Sequence, residues 1–184
     1  MKNHYAGIGS RETPSDILYN IGQIAHFAST KQWILRSGGA QGCDTAFEEG
    51  CDLVHGKKEI YLPWKGFNGN TSPLVSPSNE AINTARTIHP AFTSLTRPVK
   101  LLLARNMHQI LGEDLNTPVR CVICWTSDGC ESHKTYSKRT GGTGSAIALA
   151  SKQGIPVFNI CNEGRFFDAI EFLLDPDKEE IYEL

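Results

Sequence analysis

Three glycine-rich turns constrain the fold of this chain more than any other feature of its sequence. The most prominent is Thr140-Gly141-Gly142-Thr143-Gly144-Ser145-Ala146, and the others are Gly7-Ile8-Gly9-Ser10-Arg11 and Ser37-Gly38-Gly39-Ala40-Gln41-Gly42-Cys43-Asp44. Each turn follows an apolar segment and precedes a helical pattern. A single turn of this kind is weak evidence, because most such turns only connect elements. Three of them indicate a repeated strand–turn–helix unit.

The spacing between the strands predicts a parallel sheet. Three β–α steps follow one another from residue 3 to residue 62, with connections too long for hairpins. The apolar run of residues 119–125 is typical of a central strand covered on both faces, and residues 155–159 form the last strand, with Pro156 at its beginning or at an edge. We therefore predict an α/β fold with a mainly parallel central sheet flanked by helices, in one domain of residues 1–184.

The composition excludes some classes of protein. A hydrophobic content of 40% and a charged content of 21% are typical of a soluble globular chain, and no apolar run approaches the roughly 20 residues that span a bilayer. Residues 1–5 lead directly into a strand without a signal-peptide pattern, so we expect a cytoplasmic protein with no membrane contact. The net charge of −2 disfavours a general nucleic-acid binder, although His133, Lys134, Lys138 and Arg139 form a local basic cluster.

The cysteines do not predict a disulfide framework or a metal site. Six are present, and no secretion signal accompanies them. Cys121 and Cys124 have the C-x₂-C spacing, but residues three apart on a strand point to opposite faces. We expect buried free thiols, and we predict neither a metal ion nor a cofactor.

The chemistry of the glycine-rich turns favours an anion. Glycine lets the backbone pass close to a ligand, and the unpaired N–H groups of a helix's first turn attract negative charge. Residues 141–144 are therefore predicted to hold phosphate. The irregular segment of residues 64–79 carries Trp64, Lys65 and Phe67. It is interpreted either as a lid over the ligand or as a surface loop whose aromatic rings pack on the core.

With these segments in place, the sequence resembles the SLOG superfamily of Rossmann-like proteins, and within it the Rossmann domain of the DNA-processing protein A (Smf) family. The resemblance rests on residues 7–11, on residues 37–46, and on Arg105-Asn106 followed by a strand and residues 141–146. It implies a Rossmann-like three-layer sandwich with a ligand pocket at the carboxyl ends of the strands. The likeness to Lonely guy phosphoribohydrolases is more distant. Those enzymes place a catalytic glutamate shortly after their glycine turn, where this chain has Ser145-Ala146-Ile147-Ala148, so no catalytic residue is assigned.

The resemblance also implies roles for individual residues. Ser10 and Arg11 would meet phosphate or ribose, and Arg105 would pair with an anion or make an ion pair on the helix surface. Asp44 would contact the ligand or hold its own loop. The complete predicted ligand-binding set is Gly9, Ser10, Arg11, Ser37, Gly38, Gly39, Asp44, Trp64, Lys65, Arg105, Asn106, Thr126, Gly141, Gly142, Thr143 and Gly144.

Three functional hypotheses follow. The first is a protein that senses or sequesters a nucleotide or a phosphorylated nucleoside derivative, such as an ADP-ribose-like or cyclic nucleotide signal. The second is a nucleotide N-glycosidic hydrolase that uses Asp44 with Glu48 or Glu49. The third is a single-stranded DNA-binding recombination mediator, with a surface built from Trp64, Lys65, Lys134, Lys138 and Arg139. Because family members often pair through surface helices, a homo-oligomer is expected.

Overall fold

A computed structural model describes residues 3–177, so the two ends of the predicted domain, residues 1–2 and 178–184, lie outside the described residues. The strands are β1 (His4–Gly9), β2 (Ile34–Ser37), β3 (Lys58–Ile60), β4 (Cys121–Trp125) and β5 (Val157–Asn159). The helices are α1 (Ser15–Thr30), α2 (Cys43–Asp52), α3 (Asn79–Ile88), α4 (Arg97–Leu111), α5 (Gly144–Lys152) and α6 (Arg165–Leu174). Short 3₁₀ segments cover Phe67–Gly69, Phe92–Ser94 and Lys138–Thr143. Among the described residues, no helix is both long and apolar enough to cross a bilayer.

The strands form one parallel sheet in the order β3-β2-β1-β4-β5. Side chains alternate between its two faces, as the pleat requires. On β4, Cys121 and Ile123 join a core with α1, α2 and α6, whereas Val122 and Cys124 join a second core with α3, α4 and α5. The predicted three-layer α/β sandwich is therefore confirmed. The two cysteines are buried free thiols on opposite faces, as expected.

One helix end differs from the sequence pattern, and one strand end agrees with it. The residues Thr13-Pro14-Ser15 predict Thr13 as the N-cap of α1, but the helix begins at Ser15 with Pro14 in the cap position. Thr13 Oγ1 instead donates to Ser10 O at 2.7 Å and closes the turn after β1. Pro156 precedes β5 at the edge of the sheet, where it was predicted, and its carbonyl accepts from Val122 N at 2.9 Å.

The strand order reverses between β1 and β4. After β1 the chain proceeds outward to β2 and β3, and it then returns to place β4 and β5 on the other side. Connections that diverge in this way leave a crevice at the carboxyl ends of the two central strands. Beyond the last residue of β1, Ser10 N donates to Trp125 O at 3.1 Å, so the pairing of the two strands continues into the floor of that crevice.

Candidate ligand-binding site

The crevice holds a cavity of about 570 Å³. Residues 8–12 line it from the end of β1, residues 125–127 from the end of β4, and residues 139–143 from the third glycine-rich turn. The remaining lining comes from Ala40 and Asp44 and from the α4 side chains Val99, Leu102, Leu103, Arg105, Asn106 and Gln109. Turns from three separate parts of the chain therefore face one space at the switch point of the sheet.

Most of the residues predicted from the sequence meet at this cavity. Those in its lining are Gly9, Ser10, Arg11, Asp44, Arg105, Asn106, Thr126, Gly141, Gly142 and Thr143. Those outside it are Ser37, Gly38, Gly39, Trp64, Lys65 and Gly144. The second group divides into residues that shape the wall from behind and residues of the loop that follows β3.

The glycines and the serine of the second group pack against protein. Ser37 is fully buried, and its Oγ donates to Gly7 O at 2.7 Å. A Cβ on Gly38 would overlap the guanidinium group of Arg105, and a Cβ on Gly144 would overlap the ring of Tyr136. Glycine at these two positions leaves room for a neighbouring side chain: Arg105 beside Gly38 and Tyr136 beside Gly144.

Asp44 joins the first two glycine-rich turns. Its carboxylate accepts from Gly9 N at 3.2 Å, from Ala40 N at 3.4 Å and from Arg105 Nη1 at 3.3 Å. Only 3% of Asp44 and 6% of Arg105 are exposed, so the ion pair lies in the wall of the cavity and not on the surface of α4. Burial raises the pKa of the Asp44 carboxyl, and the Arg105 guanidinium opposes that rise. Asp44 thus holds its own loop, the second of the two roles considered for it.

Two further side chains of α4 extend this network to the third turn. With its amide oriented to satisfy its neighbours, Gln109 accepts from Arg105 Nη1 and from Gly38 N at 2.9 Å each, and it donates to Asn106 Oδ1 at 3.0 Å. Asn106 Nδ2 donates in turn to Gly142 O at 2.8 Å and to Ser145 Oγ at 3.0 Å. Three polar side chains on one face of α4 therefore bind the second and third glycine-rich turns directly, and they are linked to the first turn through Asp44.

The positive charge of the cavity is incompletely neutralised. Arg11 and Arg139 are exposed and line it, and neither guanidinium group has an ion-pair or hydrogen-bond partner among residues 3–177. By contrast, Arg36, Arg120 and Arg165 each pair with a carboxylate. Burial lowers the pKa of Arg105, and the nearby charge of Arg11 lowers it further, so these two cations share one region. The Nε atom of Arg105 is buried without a partner in the described chain.

Sequence reasoning did not identify the apolar wall of the site. Val99, Leu102 and Leu103 follow helical spacing, and the same spacing predicts core packing, so nothing in the sequence separated them from core residues. Trp125 was assigned only to the central strand. Arg139 was considered only as part of a nucleic-acid surface.

The loop after β3 packs behind the cavity. Trp64 lies edge-on against Phe67 with ring centroids 5.2 Å apart, and the Phe67 ring lies 6.0 Å from the guanidinium carbon of Arg105. Asn68 Nδ2 donates to Gly39 O at 3.1 Å. Of the two interpretations of this segment, the packed surface loop matches the observed arrangement. In this arrangement Trp64 and Lys65 do not reach the cavity.

The carboxylates considered for hydrolysis are not assembled at the cavity. Glu48 and Glu49 lie outside its lining, and Glu48 Oε2 accepts from Asn70 Nδ2 at 3.0 Å in the loop after β3. Burial raises the pKa of Glu48 to about 7. Asp44 is occupied by its three donors, and Glu12, the other carboxylate of the lining, is exposed. The lining therefore holds no buried carboxylate free for acid–base chemistry.

Comparisons with known proteins give only distant likenesses. No family model matches the sequence, and no curated protein matches it. The fold is similar to DNA processing protein A from Streptococcus pneumoniae, at 15% identity and a TM-score of 0.48, covering 96% of this chain and 57% of that one. It is also similar to the molybdenum cofactor carrier protein from Chlamydomonas reinhardtii, at 14% identity and a TM-score of 0.43, covering 95% of this chain and 99% of that one. This chain thus spans less than two thirds of the DNA-processing protein, and at these identities the likeness concerns the fold alone.

Proposed function

We propose that this protein binds a nucleotide or a phosphorylated nucleoside derivative in the cavity between β1 and β4. The observation that carries the proposal is the pair of unpartnered guanidinium groups, Arg11 and Arg139, on a cavity at the switch point of a parallel sheet. Exposed arginine without a carboxylate is available to phosphate, to which it can donate two parallel hydrogen bonds. Small-molecule sites commonly lie at such switch points.

The lining offers one surface suited to the phosphate group of such a ligand and another suited to its base. Residues 139–143 and Arg11 provide the cationic side for phosphate, while Val99, Leu102 and Leu103 provide an apolar surface for a base. A volume of about 570 Å³ lies within the range of cavities that hold small molecules, roughly 300–1,000 Å³. The finer proposal is that the protein senses or sequesters a signal of this class, such as an ADP-ribose-like or cyclic nucleotide, in the cytoplasm and as a homo-oligomer.

Single-stranded nucleic acid is the second candidate, because it carries the same phosphate chemistry. Arg139 lines the cavity, and exposed Lys134 and Lys138 lie on the segment that leads to it. The two candidates differ in their dependence on salt, because a chain of phosphates releases many counterions and a mononucleotide few. An affinity that falls steeply between 50 and 200 mM salt, as such polyphosphate contacts predict, would favour nucleic acid.

Native mass spectrometry of protein purified from cells, followed by calorimetric titration with a nucleotide panel, tests the proposal. The variants Arg11→Ala and Arg139→Ala should each weaken binding by roughly 10- to 150-fold, the range for loss of a charged hydrogen bond. Gly142→Val should fold normally and block the cavity, because no atom lies within 4 Å of the added Cβ. Arg86→Ala, an exposed arginine of α3 outside the lining, serves as the control. Unchanged affinity in both cavity arginine variants would refute the proposal.

A further inference from the structure

Asp128 lies just behind the cavity, on the polar segment that runs from the end of β4 to the third glycine-rich turn. Its carboxylate gathers four hydrogen bonds from that segment. Oδ1 accepts from Thr126 Oγ1 at 2.9 Å and from Cys130 N at 3.4 Å, and Oδ2 accepts from Thr140 Oγ1 at 2.7 Å and from Ser137 Oγ at 3.3 Å. Partial burial works against ionisation, but the hydrogen bonds from Thr140 and Thr126 keep the pKa of Asp128 below its ordinary value. The group is therefore a carboxylate at neutral pH.

The charge of Asp128 fixes the direction of the hydroxyl groups that it contacts. A carboxylate only accepts, so Ser137 and Thr140 must point their protons toward it. Their lone pairs are then free for the backbone, and Ser137 Oγ accepts from Arg139 N at 3.1 Å while Thr140 Oγ1 accepts from Ser137 N at 3.0 Å. This reciprocal arrangement is a capping box at the start of the 3₁₀ segment Lys138–Thr143.

We infer that Asp128 is a positioning residue for the anion-binding turn of residues 139–143, and that it acts through Ser137 and Thr140. The inference rests on the proposed function. By connecting Thr126 at the end of β4 to Thr140, Asp128 sets the place of Arg139 relative to the floor of the cavity. Nothing in the sequence singled it out, because a lone aspartate in a polar segment is ordinarily a solvated residue.

Another carboxylate of the same segment provides a matched control. Glu131 Oε1 accepts from Asn159 N at 2.9 Å, and the group pairs with Arg165 at 2.9 Å. Glu131 therefore fastens the segment to β5 and α6, and within residues 3–177 it makes no hydrogen bond or ion pair with residues 137–143. If Asp128 only stabilised the segment, replacing Asp128 or Glu131 should have the same effect. If Asp128 positions the turn, only its replacement should affect Arg139.

The variant Asp128→Asn separates these alternatives with little change in shape. Its amide oxygen can still accept from Thr126 and Cys130, but its NH₂ group then faces the protons of Ser137 and Thr140, which lose their acceptor. Without any ligand, amide hydrogen exchange of residues 137–143 should become at least about tenfold faster in Asp128→Asn, as expected for loss of one charge-assisted hydrogen bond, and should stay unchanged in Glu131→Gln. Unchanged exchange in Asp128→Asn would overturn the inference.

Binding of ADP, measured by calorimetry, gives the second readout. Asp128→Asn should weaken ADP binding about tenfold in the wild-type background and have almost no effect in Arg139→Ala, because the residue acts through that arginine. If Arg139→Ala weakens binding but Asp128→Asn does not, the inference fails and the proposed function stands. If neither Arg11→Ala nor Arg139→Ala changes the affinity of a bound nucleotide, the proposed function fails. Equal, additive losses in Asp128→Asn and Glu131→Gln would show a merely structural role and would also overturn the inference.

Discussion

Replacement of Arg105 by methionine should be among the most destabilising single changes in the wall of the cavity. Methionine keeps most of the side-chain volume but removes the charge that faces Asp44, and only 4% of the Asp44 side chain is exposed. The carboxylate would keep Gly9 N and Ala40 N as donors, yet its charge would remain buried without a counter-ion. Removing one partner of a buried ion pair costs about 3–5 kcal/mol, against a typical total stability of about 5–15 kcal/mol.

Urea unfolding followed by tryptophan fluorescence measures this loss, since Trp33 and Trp125 are buried reporters. Arg120→Met is the matched control, because Arg120 pairs with Asp177 at the surface and should lose at most about 1 kcal/mol. The deficit of Arg105→Met should also shrink as the pH falls. Without the guanidinium group, the pKa of Asp44 in the folded variant lies still further above its value in the unfolded chain. The folded variant is therefore most stable at low pH, and it loses stability as the pH rises through the folded-state pKa. A loss no larger than that of Arg120→Met, or one independent of pH, would refute the reasoning.

Two other predictions concern positions outside this ion pair. Since burial raises the pKa of Glu48 to about 7, the folded state holds that proton more tightly than the unfolded state, and stability should fall by up to about 3 kcal/mol as the pH rises from roughly 4.5 to 7. Glu48→Gln should flatten this part of the urea-midpoint profile, and an unchanged slope would contradict the assignment. Gly141 has φ 67° and ψ −153°, a conformation essentially restricted to glycine, so Gly141→Ala should cost about 1–3 kcal/mol in thermal unfolding. Gly142→Ala, which adds its methyl group to open space, should cost less than about 0.5 kcal/mol, and equal losses would argue against backbone strain.

The sequence predicted the layers of the fold and the turns that meet at the cavity because both depend on local patterns. Apolar runs followed by glycine-rich turns identify strand ends, and in a parallel sheet strand ends meet at one edge. The turn holding Gly9, Ser10 and Arg11 and the turn holding Gly141, Gly142 and Thr143 consequently face the same cavity. To predict that these two turns meet, only the direction of the strands is needed, and the long connections indicate that the strands are parallel.

What the sequence could not predict depends on which side chain meets which turn. Gly38 and Gly142 look alike in the sequence, but Gly38 makes room for Arg105 while Gly142 faces open space. Gln109 links Gly38 to Asn106 only because α4 crosses behind a turn that lies far earlier in the chain; Asp44 of that turn and Arg105 of the helix are 61 residues apart. The aromatic ring of Trp64 was assigned to the ligand, yet it lies against Phe67. Such pairings follow from tertiary packing and leave no periodic signal.

The hydrogen bond from Ser10 N to Trp125 O divides the cavity into a fixed part and an adjustable part. Because it extends the pairing past the end of β1 to the last residue of β4, the floor cannot widen without opening the centre of the sheet. Ser127 and Arg139 line the cavity at the two ends of the segment of residues 127–139, whose length the sheet does not dictate. Loop-closure entropy grows slowly with length, so insertions at the exposed residues 133–135, between the parts held by Glu131 and by Asp128, should cost the fold little. A protein engineer who wished to admit a larger ligand would alter that segment and leave the strands untouched.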